Sequence, residues 1–244
     1  MIKERERHIL IHPKRGKNEK KVPENGIILV NPSEAGAVIG RLQKNGGSSR
    51  YLFNSALALD KGKRFFAAGP AIGAPMAVLT LEKLLALGAK KTILFGWCGA
   101  VSNKLHIGDI IIPSVALAGE GTSRYYSDNR FSAPESELRD DVTALFHADD
   151  IEVSGGCVWS TDAIYREDKR YLQGLALEDN VVAVDMEFSA LCAVASFRRA
   201  AFCGVLVVSD ELYHSSWKPG FGKEIFTRSK KKAVNILLEN IGTL

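Results

Sequence analysis

Short apolar runs and longer amphipathic stretches alternate along the chain. The apolar runs predict buried strands at 27–30, 64–68, 92–95, 108–112, 115–117, 151–158, 181–184 and 200–208. Apolar positions at a spacing of three to four residues predict helices at 34–42, 76–87, 134–147, 187–199 and 221–239. Segments 45–49 and 69–75 are rich in glycine and predict loops. This alternation is typical of an α/β protein.

Several predicted strands follow one another in the middle of the chain without a helix between them. This favours a mixed, partly closed central sheet over a purely parallel one. No internal repeat and no linker rich in Pro, Gly or Ser divides the pattern. We therefore expect a single three-layer α/β domain over residues 25–244, with helices flanking the sheet.

Residues 1–24 form a basic N-terminal arm with eight Lys or Arg and four Asp or Glu, which accounts for the whole net charge of +4. The arm has no aromatic residue to stack on bases, so we do not expect a nucleic-acid partner. No apolar run approaches the roughly 20 residues of a membrane helix. The charged N-terminus also lacks the apolar core of a secretory leader. These patterns predict a cytoplasmic protein with no membrane partner.

The cysteines and histidines show no metal-binding pattern. No CxxC pair occurs among the four cysteines, and no HxH or HxxxH spacing among the five histidines. We expect buried free thiols and no metal or other cofactor. Cys98 lies between glycines with no histidine near it in sequence, which favours a buried thiol over a nucleophile.

Glycines or carboxylates follow four of the predicted strands. GPAIGAP follows residue 68 and GWCGA follows residue 95, whereas Asp185-Met186-Glu187 and Ser209-Asp210-Glu211 follow residues 184 and 208. Because ligands bind at the carboxyl ends of strands in open α/β sheets, we expect these groups to meet at one rim. Structural roles also fit these residues. The glycines could form turns that allow close packing, Glu187 could interact with a helix dipole, and Asp210 could cap a helix.

Together these stretches resemble the type I nucleoside phosphorylase and nucleosidase family, which includes hexameric purine nucleoside phosphorylases and uridine phosphorylases. The resemblance runs from about residue 27 to the C-terminus and is carried by GPAIGAPMAVLTLEKLLALGAKKTILFGWCGAV, LHIGDIIIPSVALAGEGTSRYY, VDMEFSALCAV and VLVVSDEL. It implies cleavage of the N-glycosidic bond of a purine or pyrimidine nucleoside through an oxocarbenium-like transition state. It also implies phosphate as co-substrate and a homo-oligomer, either dimer or hexamer.

The resemblance implies a role for each residue that matches the family's site. Met186 and Glu187 match the ribose site, where a carboxylate accepts hydrogen bonds from the 2′- and 3′-hydroxyls near the developing cation. Asp210, supported by Ser209, matches the residue that donates a proton toward a purine base.

Further contacts with the nucleoside match less well. Tyr165 and Trp159 are candidates for stacking on the base, with core packing as the alternative. Arg170 matches a base-contacting arginine of the uridine branch, but the residue two positions earlier is an acid where an amide is expected, which speaks against uracil. His8 or His12 matches an N-terminal histidine that reaches the 5′-hydroxyl in a neighbouring subunit.

The acceptor side departs from the family's pattern. Where the family has Gly-Asp-Pro-x-Arg, this chain has NPSEA, with Ser33 and Glu34 and no arginine. In the second glycine turn Gly96 is followed by Trp97, where the family has a hydroxyl residue. A phosphate dianion is poorly held without charged or bidentate donors. The candidates for new anchors are Arg50, Arg64 and Arg124.

Three hypotheses remain open on the sequence alone. The first is a nucleoside phosphorylase with a rebuilt phosphate site. The second is a nucleosidase that uses water, with Glu34 as the candidate general base. The third is a non-catalytic nucleoside-binding protein in which Trp97 fills the acceptor pocket.

Overall fold

The computed structural model describes residues 8–53 and 55–244. Within these ranges the chain forms twelve β-strands and six α-helices. The strands are β1 (Asn25–Leu29), β2 (Ser48–Leu52), β3 (Ser55–Leu59), β4 (Phe65–Gly69), β5 (Lys91–Ala100), β6 (Ile110–Ile111), β7 (Val115–Ala118), β8 (Phe131–Ser132), β9 (Cys157–Ser160), β10 (Val181–Asp185), β11 (Ala201–Glu211) and β12 (Lys218–Pro219). The helices are α1 (Pro32–Lys44), α2 (Ala74–Leu87), α3 (Ser136–Ala148), α4 (Lys169–Glu178), α5 (Phe188–Arg198) and α6 (Glu224–Asn240).

All of these strands belong to one mixed sheet. Its main path runs β2-β3-β4-β1-β5-β10-β9-β7-β8, and β11 pairs with β5, β6 and β12. β1, β4, β5 and β11 run parallel, whereas β10 runs antiparallel to β5. The mixed sheet is therefore confirmed. It branches at β5 and stays open among the described strands, where the sequence suggested partial closure, because β2 and β8 each have only one neighbour.

Helices cover both faces of the sheet. α2 and α5 pack on one face in a cluster that contains Leu81 and Phe188, and α1, α3 and α6 pack on the other face around Phe146 and Phe226. α4 buries Leu172 in a smaller apolar cluster formed with residues of β9 and β10. The three-layer α/β domain is confirmed. All four cysteines are buried and unpaired, as expected.

Several element boundaries differ from the sequence prediction. The hairpin β2–β3 was missed because β2 exposes most of its residues and has no apolar run. α4 was also missed; Asp168 caps its start by accepting from two backbone N–H groups. The strand predicted over 151–158 forms only at Cys157–Ser160. GWCGA was expected to be a turn, but it lies inside β5, and Ser209 and Asp210 likewise lie inside β11.

The described part of the N-terminal arm lies along α2. The N–H of Val22 donates to the carbonyl oxygen of Leu87 at 3.1 Å, and Lys83 Nζ lies 2.5 Å from Glu19 Oε2. Residues 1–7 of the arm fall outside the described residues. No helix among the described residues is both long and apolar enough to cross a membrane.

Candidate active site

The sheet has an opening along one edge of β5. On that edge residues 91–95 pair with β1, and Gly99 and Ala100 pair with β10. Since β1 and β10 approach from opposite directions, their carboxyl ends meet beside residues 96–98, which pair with no described strand on this edge. β11 covers the other edge of β5. Gly96 and the carboxylate that follows β10 thus meet at this opening because two strands end opposite each other, and not because these strands are parallel neighbours.

Glu187 lies at this opening, just after β10 and directly before α5. Its side chain is buried, and its Oε1 accepts a 2.5 Å hydrogen bond from the N–H of Gly73. Gly73 is the N-cap of α2, and its φ of 80° favours glycine. Burial, followed by the charge of Asp185, raises the pKa of Glu187. The GPAIGAP turn therefore orients a carboxylate that is poorly solvated.

A buried hydrogen-bonded network supports Glu187 from behind. Asp185 Oδ2 accepts the backbone N–H of Glu187 at 3.1 Å and that of the next residue at 2.7 Å. Its Oδ1 accepts from Ser160 Oγ, which in turn accepts the N–H of Ser189 at 2.9 Å. Ser189 Oγ donates to the buried Glu120 Oε1 at 2.9 Å. Glu120 lies in one of the stretches that resemble the family, but neither Glu120 nor Ser160 was assigned a role from the sequence.

Asp210 lies on the opposite edge of β5. A register shift in β11 leaves Ser209 in a bulge beside it. Asp210 Oδ1 lies 2.6 Å from Ser209 Oγ, and Oδ2 accepts the indole N–H of Trp217 at 2.8 Å. A Cβ atom on Gly99 would lie 3.2 Å from Asp210 Oδ2 and 3.3 Å from Val184 Cγ1, so this glycine lies between Asp210 and β10.

A second carboxyl group, which was not predicted from the sequence, lies near Asp210. Glu167 follows the short 3-10 turn Ile164–Arg166 and is partly buried. Burial, followed by the charge of Asp210, raises the pKa of Glu167 to about 7. A carboxyl group with a raised pKa beside a second carboxyl group is a common arrangement for acid–base chemistry.

The other base-side candidates are exposed or have other contacts among the described residues. Tyr165 is 94% exposed, and Arg170 is exposed in the first turn of α4. Asp168 accepts the N–H groups of Arg170 and Tyr171 at 3.0 Å, so the acid that replaced the expected amide serves as a helix cap. Trp159 is buried with its ring centroid 5.4 Å from that of Tyr171, which matches the core-packing alternative.

On the acceptor side, the structure brings Trp97 and Glu34 together through Lys230 of α6. Lys230 Nζ lies 2.9 Å from Glu34 Oε1 and 4.3 Å from the centroid of the Trp97 ring. The side chains of Lys230 and Glu34 are only 15% and 12% exposed. Ser33 Oγ donates to Glu34 Oε2 at 2.8 Å. Lys230 is therefore a cation beside these residues that was not predicted from the sequence, since its contact with Glu34 joins two distant segments.

Trp97 packs toward α6, with its ring centroid 5.2 Å from that of Phe226. It belongs to the layer of α1, α3 and α6, whereas Glu187 is bound by the start of α2 on the other face. Gly96 faces Val30, since a Cβ atom there would lie 3.2 Å from Val30 Cγ2. Trp97 therefore does not occupy the space beside Glu187.

The three arginines considered as new phosphate anchors have other contacts. Arg50 donates to the carbonyl oxygen of Lys20 at 2.6 Å, Arg64 pairs with Asp60 at 3.2 Å, and the Arg124 guanidinium lies 5.2 Å from the ring centroid of Tyr125. His8 is exposed. None of the contacts found among the described residues joins these side chains to Glu187 or Asp210.

The ion pair between Lys230 and Glu34 gives a first prediction. Lys230→Met keeps the length and apolar packing of the side chain but leaves Glu34 without its cation, and we expect the free energy of unfolding to fall by about 2 kcal/mol. Urea unfolding monitored by circular dichroism measures this loss. Adding Glu34→Gln to Lys230→Met should recover part of it, and equal effects of the single and double variants would show that the pair is not coupled.

Comparison with known proteins agrees with this architecture. The family model described as "Phosphorylase superfamily" matches residues 25–241. A guanosine phosphorylase from Halorubrum lacusprofundi is 29% identical over 138 residues, 55% of this chain and 57% of that enzyme. The match thus spans less than two thirds of that relative.

Solved structures align over nearly the whole chain. The purine nucleoside phosphorylase of Toxoplasma gondii in complex with immucillin-H superposes with a TM-score of 0.78 at 20% identity, covering 95% of this chain and 96% of that one. The uridine phosphorylase of Vibrio fischeri superposes with a TM-score of 0.78 at 19% identity, covering 94% and 100%. The family resemblance noted in the sequence is confirmed: the chain belongs to the phosphorylase superfamily.

Proposed function

We propose that this protein is a nucleoside phosphorylase that cleaves the N-glycosidic bond of a purine nucleoside and transfers the pentosyl group to phosphate. The observation that carries the proposal is the placement of Glu187. A buried carboxylate, fixed by Gly73, lies where two strand ends meet on one edge of β5, and Asp210 lies on the other edge. Membership of the superfamily supports this assignment.

Glu187 is suited to bind the ribose. Its carboxylate accepts hydrogen bonds from the 2′- and 3′-hydroxyls, and its negative charge favours the cation that develops on the sugar ring as the bond to the base breaks. Because the side chain is buried, this charge is weakly screened. The network behind Asp185 keeps the carboxylate in place during the reaction.

Asp210 is suited to act on the base. As the C1′–N9 bond breaks, its electron pair moves into the purine, and a proton from the Asp210 carboxyl group to N7 neutralises the departing base. A phosphate oxygen forms the new bond to C1′, which gives free base and ribose 1-phosphate.

The acceptor side retains one positive feature although the family's arginines are missing. The N-terminus of α1 has no capping side chain among the described residues, and helix N-termini favour anions. Lys230 pairs with Glu34 in the first turn of the same helix, so this pair adds no net charge there. Because Trp97 packs toward α6, the acceptor space beside Glu187 is not filled by its ring, which favours catalysis over binding alone. Glu34 is neutralised by Lys230, which weakens its case as a base that activates water.

The placement of side chains favours a purine nucleoside over a pyrimidine nucleoside as the substrate. Asp210 and Ser209 are adjacent and hydrogen-bonded, and the resemblance linked this pair to a purine base. Tyr165 and Arg170, which the resemblance linked to uracil, lie on the surface. The cytoplasmic location and the homo-oligomer, with His8 contributing to a neighbouring site, stay predictions.

A nucleoside panel tests the proposed function. Guanosine, inosine, adenosine, 5′-methylthioadenosine, uridine and thymidine are incubated with the protein, with and without phosphate, and base and sugar products are separated by chromatography. We expect base release from purine nucleosides only when phosphate is present, with ribose 1-phosphate as the second product. Equal release without phosphate would identify a nucleosidase, and binding without release would identify a nucleoside-binding protein.

A further inference from the structure

The segment that follows β11 folds back onto Asp210. β12 pairs antiparallel with the end of β11, so that Pro219 lies opposite Asp210. The N–H of Gly220 donates to the carbonyl oxygen of Ser209 at 2.8 Å, and a Cβ atom on Gly220 would lie 2.7 Å from that oxygen. This close approach requires glycine and fixes the hairpin. The hairpin places the indole of Trp217 against Asp210.

The two oxygens of Asp210 have different partners. Oδ2 accepts from the Trp217 indole, which is a donor only and cannot take a hydrogen bond from a protonated carboxyl group. Oδ1 lies 2.6 Å from Ser209 Oγ, which also lies 3.1 Å from the carbonyl oxygen of Cys98. A serine hydroxyl both donates and accepts, so it can turn its proton to Cys98 when Oδ1 is protonated. A proton on Asp210 therefore belongs on Oδ1.

We propose that Trp217 is a positioning residue for Asp210, which binds Oδ2 and so directs the catalytic proton to Oδ1. This inference rests on the proposed function, because it assigns the oxygen that delivers the proton to the base. The Trp217 side chain is 57% exposed and packs loosely, with its ring centroid 6.1 Å from that of Phe221. Its hydrogen bond to Asp210 is thus its main specific contact with the site.

The indole N–H donates to Asp210 Oδ2, an interaction that is stronger when the carboxylate is ionised. The other titratable groups that face Asp210 or flank it in the hairpin are Glu167, the buried Cys98 thiol, Glu211 and Lys218. Glu167 has its own pKa raised to about 7, so its titration must be separated from that of Asp210.

Trp217→Phe tests the proposal, because it keeps an aromatic ring and removes the donor. Loss of this donor removes an interaction that favours the ionised carboxylate, so we expect the alkaline limb of kcat/KM to move to higher pH. The activity below that limb should fall several-fold because the carboxyl group is less well oriented. The same comparison in a Glu167→Gln background removes the second carboxyl group from the profile. Phe221→Leu is the matched control, because it changes the same segment without removing a contact to Asp210. The alkaline limb of its kcat/KM profile should stay at the wild-type pH.

A measurement on the free protein separates this proposal from the proposed function. The chain has three tryptophans, so ¹⁵N labelling gives three indole N–H resonances, and Trp217→Phe identifies the one at Asp210. We expect that resonance to titrate with pH in the wild-type protein and to lose this titration in Asp210→Asn. If the resonance titrates but no nucleoside is cleaved, the contact stands and the proposed function fails. The positioning role of Trp217 is wrong if Trp217→Phe leaves the alkaline limb of kcat/KM at the wild-type pH. It is also wrong if the indole resonance titrates in Asp210→Asn as it does in the wild type.

Discussion

Glu187→Gln is expected to lower kcat/KM for purine nucleosides by about 10²–10³-fold while leaving the fold intact. The amide oxygen of glutamine can still accept the N–H of Gly73, so the side chain keeps its place at the start of α2. What is lost is the negative charge that favours the sugar cation and accepts both ribose hydroxyls. Steady-state kinetics with saturating phosphate measures the effect.

The stability of Glu187→Gln should change in the opposite direction from its activity. Because burial raises the pKa of Glu187 above its ordinary value of 4.5, the folded state of the wild type loses stability as pH rises through the raised pKa. The glutamine variant has no buried group to ionise, so its Tm should equal or exceed that of the wild type. The difference in Tm should grow from pH 5 to higher pH. A site that gives up stability for activity behaves in this way.

Glu82→Gln is the matched control for Glu187→Gln. Glu82 is also a buried carboxylate, but its two oxygens lie 2.8 and 2.9 Å from the guanidinium nitrogens of Arg198. Losing this charge-assisted pair should cost about 1–3 kcal/mol of unfolding free energy and leave kcat/KM near the wild-type value. Equal kinetic losses in both variants would show that Glu187 acts through stability alone.

Asp210→Asn should lower kcat for inosine and guanosine by about 10²–10⁴-fold, the range for loss of a general acid. The asparagine oxygen still accepts the Trp217 indole, so the hairpin stays in place. The chemistry of the leaving group supplies the decisive comparison. 7-Methylguanosine already carries positive charge on its base and leaves without a proton, so the variant should cleave it at close to the wild-type rate.

The neighbouring acid Asp109 provides a control for Asp210. Asp109 Oδ2 accepts the N–H of His106 at 2.8 Å, and its side chain is 44% exposed. Asp109→Asn should leave both inosine and 7-methylguanosine cleavage unchanged. If Asp210→Asn lowers the two rates by the same factor, Asp210 binds the nucleoside and does not donate the proton.

The sequence predicted the layers of this fold well because the core strands are nearly continuous apolar runs. β1, β4 and β11 are buried over most of their length. A strand of this kind can be predicted from its own apolar run, without knowing which strand it pairs with. The edge strand β2 has no such pattern, since its position depends on pairing with β3. Pairing of this kind is set by long-range contacts that local composition does not encode.

The same distinction applies to the candidate site. Glu187 and Asp210 were predicted because they follow apolar runs of the sequence, and the structure places both beside β5. The contacts of Lys230, Trp217 and Glu167 depend on how distant segments fold over that strand, and 196 residues separate Lys230 from Glu34. Tyr165 is exposed among the described residues, so its proposed stacking on the base stays a prediction.

A crystal structure of Asp210→Asn with bound guanosine is the most direct test of the site, since slow turnover in this variant preserves the nucleoside. We predict that the 2′- and 3′-hydroxyls lie within hydrogen-bond distance of the Glu187 carboxylate, with N7 of the base facing residue 210 and C1′ beside the opening at residues 96–98. A nucleoside bound elsewhere, or bound with its ribose away from Glu187, would contradict the assignment of this opening in the sheet as the active site.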